Sequence, residues 1–112
     1  MRKKYLILAK AFDGKGRVIS TAWNDYSKSH PTMKYFSEKA NVPNKEYLHA
    51  EVSALLRAMD KQVWMLSIER YNKDGSMALA KPCKVCQEAI KAFDVKRIKY
   101  TTPGGWVVEN VS

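Results

Sequence analysis

The stretch KPCKVCQEAI, Lys81–Ile90, carries both cysteines of the chain, Cys83 and Cys86, behind a proline and at the head of a helical pattern. Cys86, Ala89, Ile90 and Phe93 recur at offsets of three and four, which puts them on one stripe of an amphipathic helix. In the first turn of that helix the positive end of its dipole stabilises thiolates. Residues three apart share a face, so Cys83 and Cys86 can reach one ion together. In a reducing compartment a CxxC pair is more often metal-binding or catalytic than a structural disulfide.

Working outward, the nearest comparable pattern is LHAEVSALL, Leu48–Leu56. Leu48, Val52, Leu55, Leu56 and Met59 fall at helical offsets, which predicts an amphipathic helix from about Leu48, opening with His49-Ala50-Glu51. Two helix starts therefore carry metal-ligand side chains. One His and two Cys make three protein ligands, the number for a catalytic zinc that keeps its fourth position for water, whereas structural zinc normally takes four. Glu51, in the same first turn as His49, is placed to take a proton from that water.

The rest of the chain supplies strands. Lys4–Phe12 and Arg17–Asn24 flank the turn Asp13-Gly14-Lys15-Gly16 and read as an antiparallel pair. Asp25–Lys45 is rich in Ser, Asn, Lys and Pro and reads as a loop with a short helix after Pro31, built on Met33, Phe36 and Ala40. Gln62–Tyr71 is a strand closed by the turn Asn72-Lys73-Asp74-Gly75, and Ser76–Lys81 runs extended toward Pro82. Arg97–Thr102 and Trp106–Val111 are the last strands. The order β-β-α-β-α-β-β predicts an α/β sandwich around one five-stranded mixed sheet. Pro103-Gly104-Gly105 is too short for a parallel crossover, so the fifth strand runs antiparallel to the fourth. Trp64, Tyr71 and Trp106 lie in strand patterns and are expected in the core, with stacking on the bases of a single strand as the alternative; no interleaved basic and aromatic patch is visible along the chain.

With 112 residues the chain fits one domain, residues 1–112. The apolar run Tyr5–Ala9 is too short for a signal-peptide core or a membrane span, which points to the cytoplasm. Twenty Lys and Arg against eleven Asp and Glu give a net charge of +9, an attraction toward anions such as a nucleotide phosphate or a nucleic acid. The basic residues are scattered from Arg2 to Lys99, so charge alone does not choose between these and a solvated lysine-rich surface.

HAE followed by PCxxC, each at a helix start, resembles the zinc-dependent cytidine and deoxycytidylate deaminase superfamily. The resemblance spans most of the chain and implies a three-layer sandwich with helices on the faces of the sheet. It implies Zn2+ as cofactor, held by His49, Cys83 and Cys86, with Glu51 as the catalytic proton shuttle. It further implies that Asn24, at the end of the second strand, contacts the sugar or phosphate, and that Ala50 lies at the substrate. The reaction implied is hydrolytic conversion of cytosine to uracil with release of ammonia. The expected substrate is a free cytidine, deoxycytidine or deoxycytidylate; the alternative is a cytosine or adenine base in single-stranded DNA or RNA. His as first ligand resembles the deoxycytidylate and polynucleotide deaminases, while the antiparallel last strand resembles the enzymes for free cytidine. Two features depart from the pattern: Asn24-Asp25-Tyr26 replaces the Asn-x-Glu common near the sugar, and the first strand comes without a preceding helix. The second departure leaves one sheet face thinly covered and predicts a homo-oligomer.

Two rival readings explain less. A structural Cys2His2 zinc module would recruit His30 beside His49, Cys83 and Cys86. A thioredoxin-like redox pair would use the CxxC alone. Neither accounts for Glu51.

Overall fold

The computed structural model describes residues 7–29, 35, 36, 38, 39, 47–58 and 61–111. Strands β1 (Ile7–Phe12) and β2 (Val18–Trp23) form an antiparallel hairpin. Its turn is held by Asp13, whose Oδ1 accepts the backbone N–H groups of Lys15 and Arg17, both at 2.9 Å. Those bonds, with the Arg17 guanidinium 3.0 Å from Oδ2, hold the Asp13 carboxyl below the usual carboxylate range. Gly16 sits at φ 82°, a left-handed conformation open to glycine without strain.

Two short strands, β3 (Asp25–Ser29) and β4 (Tyr47–Leu48), pair antiparallel and deliver the chain to helix α1 (Ala50–Arg57). Strand β5 (Met65–Arg70), helix α2 (Lys84–Ala92), strand β6 (Arg97–Thr102) and strand β7 (Gly105–Asn110) follow. The main sheet has the order β2-β1-β5-β6-β7. Its one parallel pair is β5 with β6, where α2 and the segment before it supply the crossover; β7 runs antiparallel to β6, as its short turn requires.

Strand alternation decides which residues meet the helices. Ala9, Ala11, Leu66, Ile68, Ile98 and Tyr100 share one face and are buried together with Val52 and Leu55 of α1 and with Val85, Cys86, Ala89 and Ile90 of α2. Alanines 9, 11 and 22 keep that face low where α1 crosses it, close enough for Ser20 Oγ to donate to the Ala54 carbonyl at 2.6 Å. Both described helices therefore lie against the same face. The opposite face presents Val18, Trp23 and Val108, each more than half exposed. The α/β sandwich with a five-stranded mixed sheet and an antiparallel last strand is as expected.

Three expectations need correction or limits. Asp25–Ser29 is a strand rather than loop: its Ser- and Asp-containing run carries little β propensity, and pairing with the segment just before His49 supplies what local sequence does not. In the same segment residues 35, 36, 38 and 39 are helical and Phe36 is buried beside Phe93, ring centres 6.5 Å apart; Met33, Ala40 and His30 lie outside the described residues. Trp64, Tyr71 and Trp106 are not core, at 38%, 39% and 39% exposure. Strand patterning cannot tell which positions of a sheet face other segments cover.

Candidate active site

His49 and Cys83 occupy equivalent places. Each is the residue that precedes its helix, in extended conformation (φ −80°, ψ 152° and φ −71°, ψ 173°), and neither side chain caps its own helix. Each carbonyl instead starts the helical ladder, accepting from Ser53 N–H at 3.0 Å and from Gln87 N–H at 2.8 Å. Gln87 Nε2 also donates to the Pro82 carbonyl at 2.9 Å, so one side chain ties the Pro82-Cys83 corner to the helix it opens. Sequence reasoning passed over Gln87; its signal is its position four residues after Cys83, one turn along the same face.

The two helix starts converge. His49 Nδ1 lies 3.2 Å from Cys86 Sγ and 3.7 Å from Cys83 Sγ, and the three ligating atoms all fall within 4.8 Å of one another. A tetrahedral zinc with Zn–N near 2.0–2.1 Å and Zn–S near 2.3 Å sets N···S about 3.6 Å and S···S about 3.8 Å apart. The trio therefore fits Zn2+ in both donor chemistry and spacing. Among the described residues this is the one His/Cys/Asp/Glu group of that kind, and the sequence-predicted ligands are the ones brought together.

The thiols divide their roles when no metal is bound. Cys83, at the surface, is drawn down to about 4, chiefly by a hydrogen bond from the Cys86 thiol and further by His49. Cys86 is pushed up, first by that same interaction with Cys83 and then by burial. One proton shared between two sulfurs is the arrangement to expect before a cation displaces it. Glu51 is 5% exposed; burial pushes its carboxyl up, and its own backbone N–H, His49 and the Cys86 thiol offset this in part. A buried carboxyl raised in this way sits nearer the operating range of a proton carrier.

The remaining predicted site residues are Asn24 and Ala50. Asn24 closes the β1–β2 ladder: its Oδ1 accepts Ile7 N–H at 3.0 Å and its own N–H donates to the Ile7 carbonyl at 3.1 Å. Ala50, the first residue of α1, is fully buried between His49 and Glu51.

A family model described as "Cytidine and deoxycytidylate deaminase zinc-binding region" matches residues 7–102. Among solved structures, a cytidine deaminase from Mycobacterium leprae is similar over 94% of this chain and 75% of that one, with a TM-score of 0.51 and 20% identity. That likeness concerns the fold. No curated protein matches the sequence.

Proposed function

Since the chain belongs to the cytidine and deoxycytidylate deaminase zinc-binding family, we propose that it is a hydrolytic deaminase for the cytosine of a free nucleoside or nucleotide. The observation that carries this is the convergence of His49 Nδ1 and the two sulfurs within 4.8 Å, with the buried Glu51 carboxyl two residues from His49. The reading takes the whole chain as one catalytic domain, working in the reducing cytoplasm where both thiols stay available. No helix among the described residues is long and apolar enough to cross a membrane.

In this mechanism His49, Cys83 and Cys86 hold the metal. Zinc bound there supplies Lewis acidity that activates water near neutral pH. Glu51 takes a proton from the attacking water and gives it to the ring nitrogen next to C4, then takes the remaining proton of the added hydroxyl and gives it to the departing amino group. Water and cytosine thus become uracil and ammonia. The raised affinity of Glu51 for a proton, caused by burial, favours both halves of that shuttle. Asn24 and the Ala50 backbone at the start of α1 are the proposed substrate contacts, and the exposed Val18, Trp23 and Val108 support a homo-oligomer. A polynucleotide substrate is the second reading, favoured by the +9 charge.

The deciding experiment incubates the zinc-loaded protein with cytidine, deoxycytidine, deoxycytidylate, single-stranded DNA and RNA, and follows uracil formation. Turnover on a monomeric substrate is the expected result. Turnover on the polymers alone overturns the choice of substrate and leaves the deaminase chemistry standing.

A further inference from the structure

All three tryptophans of the chain are exposed, Trp23 by 53%, Trp64 by 38% and Trp106 by 39%. Two of them share a feature. The Arg97 guanidinium lies 5.0 Å from the centre of the Trp64 ring, and Lys99 Nζ lies 4.7 Å from the centre of the Trp106 ring. These residues are scattered in sequence and collected by strand register: Arg97 pairs with Met65 and Asn110, Lys99 with Val108, and Thr101 with Trp106. Arg97, Lys99 and Trp106 therefore share the sheet face away from the helices. Arg97 and Lys99, two positions apart on one strand, are separated by about 6.6 Å.

At the Trp64 end the row opens into a cleft of about 390 Å3 lined by Trp64, Arg97, Lys91, Lys96 and Asn110. Asn110 Oδ1 accepts from Arg97 Nε at 3.3 Å, which steadies the guanidinium beside the indole. Lys96 is paired with Asp94 at 3.1 Å, so Lys91 and Arg97 set the sign of the cleft. At its other end the row reaches Trp106 beside Thr101. The Thr101 carbonyl accepts Ala80 N–H at 2.9 Å, in the segment that leads to Pro82 and Cys83.

We infer that this row and its cleft bind single-stranded nucleic acid, with bases stacking on Trp64 and Trp106 and phosphates meeting Arg97, Lys99 and Lys91. Aromatic platforms interleaved with cations suit a single strand, because every base has a π-face and every link carries a negative charge. Charge complementarity favours this occupant over a second copy of the chain, which would bring another +9 to the same cations. Val18 and Trp23, exposed apolar side chains at the far edge on β2, are the better place for a copy. A strand lying along β6 from the cleft runs toward the end of the sheet that carries the zinc ligands. The inference concerns binding and holds whether or not the bound strand is deaminated.

The test measures fluorescence anisotropy of a labelled oligouridylate and a labelled oligothymidylate with the full zinc-loaded chain across a salt series. Binding is expected, with a log–log salt slope of about −2 for three phosphate contacts. Trp106→Ala and Arg97→Ala should each weaken it by about 5-fold to 100-fold. Lys99→Ala should make the slope shallower by about 0.7. Trp23→Ala should leave binding unchanged, and zinc content and turnover of cytidine should be intact in all four variants. Three results overturn the inference: no binding at low salt, displacement of the strand by uridine monophosphate at equal concentration, or a wild-type oligomer that Arg97→Ala dissociates. None of them bears on the deaminase reading, whose own assay is separate.

Discussion

Glu51 is the residue on which the proposed chemistry turns, because it combines nearness to the three ligands with burial that raises its affinity for a proton. Glu51→Gln keeps the shape and removes the shuttle. It should retain zinc while turnover falls by about 100-fold to 10,000-fold, measured by metal analysis and uracil release on the same preparation. The thiols yield a second prediction. In metal-free protein Cys83 is an exposed thiolate and Cys86 a buried thiol, so iodoacetamide near neutral pH should alkylate Cys83 first, and added zinc should protect it. Peptide mapping that finds both cysteines equally labelled would refute this division. Linkage gives the sign of the pH effect. The folded Cys83 thiol titrates near 4 against an ordinary 9.0, so its contribution to metal-free stability is complete above pH 9 and is lost as pH falls toward 4. Glu51 acts in the other direction: its raised folded value makes ionisation costly as pH climbs above 4.5. Denaturant midpoints of the metal-free protein and of Glu51→Gln, compared across that window, separate the two effects.

At the scale of elements, the site depends on two helix starts being held at the right separation. Helix α1 is fixed by Leu55, 1% exposed, and by the bond from Ser20 Oγ to the Ala54 carbonyl. Leu55→Ala should cost about 2–5 kcal/mol and Ser20→Ala about 1 kcal/mol in denaturant unfolding. Zinc affinity should fall with the former, since it loosens the element that carries His49. The same elements show what a sequence discloses. His49, Cys83 and Cys86 were legible because each motif sits at a helix start, and apolar periodicity located both starts. Antiparallel pairing of β7 followed from the length of its turn. Strand β3 was hidden because its pairing with β4 is a tertiary contact across a long connection, with no alternation to mark it. The row of Trp64, Arg97, Lys99 and Trp106 was hidden for the same reason: it exists only after β5, β6 and β7 take their register. Which sheet face packs the helices is likewise absent from a pattern of alternating residues. Asn24 was legible as the end of a strand, and the structure adds its bonds with Ile7.

For the molecule as a whole, exposed apolar side chains on the sheet and a large positive charge pull in different directions. Exposed Val18 and Trp23 favour a partner surface, while +9 per copy opposes close association unless the contact avoids the cations. Sedimentation velocity should therefore show a homo-oligomer that Trp23→Asp weakens and added salt strengthens; a monomer at all concentrations would remove the oligomer from the account. The central claim is that His49, Cys83, Cys86 and Glu51 form a zinc deaminase site. It is tested most directly by ammonia release from cytidine, deoxycytidine and deoxycytidylate with zinc-loaded wild type and zinc-loaded Glu51→Gln in parallel. The account predicts release by the wild type on at least one substrate and its near abolition in the variant at equal zinc content. Equal release by the two proteins would contradict it.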